Sequence, residues 1–252
     1  GVLEGQEGHL DEARRHYERV LAIRRRLLAP YNLLVSFALA NLSIITRFQG
    51  RLDEALEQIT TALAIMQRNY GPVHADVAYE HELVAAVLAD KGDLEGAREQ
   101  YQRAVDTYDQ LVGPGRGDTS FATVGLAKFY ERIGKCAEVY RLLIPAVAGF
   151  ETAGSEIGVA DSLVPLARCD LQRGVPAVAR QRLERALTFY ERPGTALSHR
   201  GEARFELARA LFASNRSRAI SVARQAKQEL DRSGPLCARD LERARFWLRR
   251  FK

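Results

Sequence analysis

Small and apolar residues recur along this chain at helical intervals, with charged residues filling the positions between them. "GRLDEALEQITTALAI", residues 50–65, opens on a glycine, passes an acidic pair and then shows spacings of three and four that line one face of an α-helix. Forty-two residues earlier the chain reads "GHLDEARRHYERVLAI", and forty-two later "GDLEGAREQYQRAVDT". A period between about 20 and 50 residues is the signature of stacked repeats.

The period can be followed almost to the end. Turn glycines stand at Gly8, Gly50, Gly92, Gly134 and Gly174, with a weaker equivalent at Ser214 and Asn215. Five residues past each turn comes a small side chain: Ala13, Ala55, Ala97, Val139, Ala179 and, one residue out of step, Ala219. Seven further on stand Val20, Ala62, Ala104, Ala146, Ala186 and Ala226, on the same helix face, where small residues let a neighbouring helix approach closely. A second helix precedes each turn, marked by Leu42, Val84, Leu126, Leu166 and Leu207. The links "APYN", "YGPVHAD", "GPGRGD", "ETAGSE" and "ERPGTA" carry chain breakers.

These signals predict an all-α array of antiparallel helix pairs over 31–72, 73–114, 115–154, 155–194 and 195–233. Residues 1–30 form a leading half-repeat, and 234–252 a capping helix with Leu241, Phe246, Trp247, Leu248 and Phe251 apolar. One pair cannot bury its apolar face alone, so stacking supplies the core. The unpartnered helix at 9–28 suggests that the chain starts inside a longer array, and offers a face for self-association. Pro145 and Pro165 fall within predicted helices, where proline removes a hydrogen bond; a bend is expected near the fourth pair.

Composition narrows the function. The chain is 46% hydrophobic, enough to fold without metals or disulfides. Cys136, Cys169 and Cys237 have neither CxxC nor zinc spacing and read as buried or stray thiols in a reducing, cytoplasmic setting. No apolar run is long enough to span a membrane, and the start resembles neither a signal nor a transit peptide. Net charge is +5, but residues 192–252 hold 15 Lys/Arg against 6 Asp/Glu. Those arginines lack helix-turn-helix spacing and stacking aromatics, so a solvated surface or an acidic neighbour is expected rather than nucleic acid. His9, His16, His74, His81 and His199 form no metal motif, and no cofactor or catalytic signature is present. "RGD" at 116–118 reads as a chance tripeptide.

The glycine turn, the two small residues seven apart and the Leu–small step before the turn resemble the tetratricopeptide repeat. The 42-residue period and "YGPVHADVA" resemble its long form in kinesin light chains. The resemblance implies a right-handed superhelix with the first helix of each pair on its concave wall, and a non-catalytic scaffold that binds a peptide or protein segment. Phe37, Tyr79 and Phe121 match one concave position; Ile44, Ala86, Lys128, Arg168 and Arg209 match another. The groove would turn from aromatic to cationic and suit an aromatic, acidic partner. Asn41 matches the asparagine that holds a peptide backbone in kinesin light chains, but Leu83, Gly125 and Pro165 replace it later. "GEARFELARALF" and the terminal "FWLRRF" are similar to the repeat tails of bacterial, especially myxobacterial, serine/threonine kinases. That likeness implies a signalling protein with a kinase domain upstream, itself a candidate intramolecular partner. The competing expectation is a signal-peptide sensor array controlling a transcription factor or ATPase.

Overall fold

The turn glycines take up the left-handed backbone that ends a helix. In a computed structural model of the chain, Gly50, Gly92, Gly134 and Gly174 lie at φ between 74° and 89°. At each, the next residue's N–H reaches back to close the preceding helix: Arg51 to Thr46, Asp93 to Leu88, Lys135 to Tyr130 and Val175 to Asp170, at 2.9–3.1 Å. This is the six-to-one bond of a glycine-terminated helix, repeated four times.

The structure describes residues 10–113, 117–234 and 237–251, with 117–120 described by backbone alone. Gly8 and Arg116 of the RGD tripeptide lie outside the described residues. Among the described residues twelve helices follow one another and no strand occurs. A leading helix, α1 (Leu10–Leu27), precedes the pairs α2 (Leu33–Phe48) with α3 (Leu52–Tyr70) and α4 (Ala75–Lys91) with α5 (Leu94–Val112). Next come α6 (Gly117–Arg132) with α7 (Cys136–Thr152), α8 (Glu156–Gln172) with α9 (Pro176–Tyr190), and α10 (Leu197–Leu211) with α11 (Arg216–Arg232). The last helix is α12 (Ala238–Arg249). Side chains cap several starts: Asn32 accepts from the Leu34 N–H and Asp93 from the Gly96 N–H, both at 2.9 Å.

The chain divides into two compact units, residues 1–126 and 127–252. In the first, each helix packs on its neighbours in sequence, and first helices of successive pairs also meet, as α2 does α4. Its core joins Leu21, Leu39, Leu42, Ile59, Ile65 and Val84. In the second unit, α8 likewise meets α10, while Phe205, Leu230, Cys237 and Leu241 bury one another beneath Trp247. The small residues five past the turns, from Ala13 to Ala219, are all fully buried. Seven further on, Ala62, Ala104, Ala186 and Ala226 are fully buried too, while Val20 is half-buried.

Two expectations need correction. Cys136 and Cys169 are disulfide-bonded, their Cα atoms 5.5 Å apart, tying the start of α7 to α8. Cys237 alone fits the expected buried thiol. Pro145 and Pro165 do lie within helices, in α7 and α8, as expected. Of the cap's apolar residues, Phe246 faces outward, 63% exposed. Trp247 instead meets Phe212 and Phe251 edge-on, at ring separations of 5.3 and 4.7 Å.

Candidate functional site

On α2 the interior takes Val35, Ala38, Leu39 and Leu42. Phe37, Asn41 and Ile44, one turn apart, line a different face. Phe37 stays 39% exposed and Ile44 is half-buried. Asn41 turns its amide inward along its own helix, donating to the Phe37 carbonyl at 2.8 Å. That bond uses one of the two N–H donors of the amide.

The equivalent residues of the next two pairs are open as well: Tyr79 on α4 is 49% exposed and Phe121 on α6 is 41% exposed. The three aromatics thus stand at one register on successive first helices, each with a large apolar surface uncovered. Beside Gly125, one turn after Phe121, lies a carboxylate that was not among the expected site residues. Glu82 Oε2 sits 3.2 Å from where a Cβ on Gly125 would be, with the Tyr101 ring 3.6 Å from the same point. A side chain at 125 would crowd this carboxylate; glycine leaves it room. Burial pushes the Glu82 carboxyl up to about 7. The signal was present in the sequence as an acid one turn after Tyr79, facing a glycine one turn after Phe121.

The neighbouring residues of "YEHE" point elsewhere. Glu80 is buried, with no hydrogen-bond partner for Oε2 among the described residues; burial, then Asp76, raises its carboxyl to about 8. His81 is buried with Nδ1 2.6 Å from Gln100 Oε1, and burial lowers its pKa. His74 lies before α4 rather than within it: its Nδ1 accepts from the Asp76 N–H at 3.2 Å. The two histidines are structural.

In the second unit the expected cationic positions part company. Lys128 is exposed. Arg168 is only 14% exposed and is ringed by carboxylates: Glu202 at 2.8 Å, Glu206 at 3.0 Å, Glu131 at 3.5 Å and Asp240 at 3.9 Å. Glu206 is fully buried and also receives Arg209 at 2.5 Å and Arg243 at 2.9 Å. Burial opposes ionisation of Glu206, yet Arg168, Arg209 and Arg243 together hold its pKa below the usual range. Arg168 and Arg209 therefore answer internal acids and are not a free pair for an acidic peptide. The reason is the packing register, which brings acids from α6, α10 and α12 onto one guanidinium. Beside this network lies a polar cavity of about 430 Å³, with Lys128 and Arg239 exposed at its edge.

The basic excess after residue 192 is largely paired in the same way. Arg200 and Arg204 both bind Glu229, Arg204 also meets Glu191 at 2.7 Å, and Arg218 meets Glu184 at 3.2 Å. Among the described residues no group of His, Cys, Asp and Glu is placed to hold a metal ion, and no helix is long and apolar enough to cross a membrane.

Helix pairs closed by glycine and stacked through buried alanines define an α-helical repeat protein. The tetratricopeptide repeat family model matches residues 1–68 and 41–108 of the chain. No curated protein matches the sequence. Among solved structures, BtubC (BKLC) from P. vanneervenii aligns at a TM-score of 0.66 and 16% identity, over 96% of this chain and 93% of that one. The nearly identical TPR-like repeats of a Podosopora anserina protein described as a kinesin light chain align at 0.60 and 22% identity, over 74% and 89%. Pseudomonas aeruginosa PilF aligns at 0.51 and 19%, over 89% and 78%. At these identities the likeness is one of fold.

Proposed function

We propose that the chain is a non-catalytic scaffold that holds an extended peptide or protein segment along the first helices of its repeats. The observation that carries this is the row Phe37, Tyr79 and Phe121, three aromatics 39–49% exposed at one register. Covering each ring would contribute about 1–2 kcal/mol, and a segment spanning all three gains that repeatedly. Glu82, one turn after Tyr79 and beside Gly125, favours a segment that also brings a Lys or Arg, since a nearby cation returns a raised carboxyl to its charged form. The partner is thus apolar or aromatic with a basic residue, rather than acidic. The wider reading, a repeat region of a bacterial signalling protein such as a serine/threonine kinase, rests on the resemblance of residues 201–251 and includes the kinase domain itself as a candidate segment.

Selection from a random display library of peptides about 12 residues long tests the proposal. Sequences combining aromatic and basic residues are expected, with affinity lost at least about tenfold in the Phe37→Ala/Tyr79→Ala/Phe121→Ala variant at unchanged helicity. Undiminished affinity in the triple variant contradicts it.

A further inference from the structure

A cavity of about 580 Å³ in the second unit lies between α11 and α12. Its floor is apolar, made by Ile220, Leu248 and Phe251. Its flanks are basic. Ile220, Arg224 and Lys227 occupy one face of α11 across two turns, and Arg245 and Arg249 follow α12 on the other side. Glu242 is the one acid in the lining, and it is already engaged by Arg245 at 2.7 Å. Arg224 and Lys227 make no ion pair among the described residues.

We infer that this groove docks an amphipathic helix of a partner protein whose apolar stripe is flanked by acidic residues. Two walls, each two turns long, over an apolar floor have the shape into which one helix packs on two others. Two unpaired cations beside that floor set the sign of the flanks. A second copy of the chain is disfavoured by the same charges. Two such grooves would oppose cation to cation. An open helix face on α1, with Ile23 49% and Leu27 72% exposed, ends in Arg24, Arg25 and Arg26. An acidic-flanked helix satisfies both the floor and the rim, and its affinity falls with added salt.

Two fluorescein-labelled, helix-favouring peptides of about 18 residues test this, identical in their leucine stripe and flanked by Glu in one and Lys in the other. Binding of the Glu peptide alone is expected, weakened at least about tenfold by Arg224→Glu/Lys227→Glu and by high salt. Arg224 is exposed and Lys227 half-buried, and circular dichroism checks that helicity is retained. Equal binding of both peptides, binding of neither, or full affinity in the double variant overturns the inference. So does sodium dodecanoate filling the groove where neither peptide competes, or a concentration-dependent dimer that Ile220→Asp abolishes.

Discussion

Arg168 Nε donates to Glu206 Oε1 at 3.0 Å across 38 residues of sequence, and Glu206 has no solvent exposure at all. A buried carboxylate of this kind depends on its partners, because removing one leaves charge in a low-dielectric interior. Arg168→Ala is expected to destabilise the protein by about 3–5 kcal/mol in urea unfolding; Arg168→Lys keeps the charge and costs less, though an ammonium cannot fork to several carboxylates. An Arg168→Ala variant within about 0.5 kcal/mol of the parent would refute the structural role. Since the folded pKa of Glu206 is lowered, its contribution is present above the unfolded carboxylate pKa and lost as pH falls through the folded one.

Glu80 has the opposite sign. Its folded pKa, about 8, lies above the ordinary 4.5, so the folded state holds a proton that the unfolded state has released between those values. Stability from this group is intact below about 4.5 and declines as pH rises toward 8. Glu80→Gln, which mimics the protonated acid, is expected to raise stability at pH 8 by on the order of 2 kcal/mol and to do little at pH 4. Denaturant titrations at the two pH values check this; equal effects at both would contradict it.

Gly158 lets α8 approach α7. A Cβ there would fall 2.2 Å from the ring of Phe150, which is itself 1% exposed. Gly158→Ala is expected to cost about 1–3 kcal/mol through overpacking. Gly125→Ala should cost less, because its Cβ would meet the movable end of Glu82 at 3.2 Å. Paired thermal melts of the two variants decide it, with the reverse order the contradicting result.

The Cys136–Cys169 disulfide closes a 33-residue separation. Cross-links of that span stabilise by about 3–4 kcal/mol in the chain-entropy account. Protein purified without reductant should show one titratable thiol after denaturation, from Cys237, and three after reduction, with a lower unfolding midpoint. Three thiols before reduction would show that the bond does not form.

The contrast between these residues shows what the sequence discloses. Turn glycines and buried alanines follow from local geometry: a left-handed helix end at Gly50 or Gly92 and a close helix contact at Ala55 or Ala97 each restrict the residue type in place. The aromatic row was legible for the same reason, because it repeats with the period. The ring of acids around Arg168 was not, since Glu131 lies on α6, Glu202 and Glu206 on α10 and Asp240 on α12. Their meeting depends on packing register, which a charge pattern along one helix does not carry. The setting of Glu82 was not legible either, since it is defined by its approach to Gly125 on another helix.

The most direct test of the account is hydrogen–deuterium exchange on the whole chain, with and without the selected peptides bound. If the segment lies on the first helices, protection should appear in α2, α4 and the start of α6, around Phe37, Tyr79 and Phe121. Protection confined to α3 and α5, with those three stretches unchanged, would contradict the account.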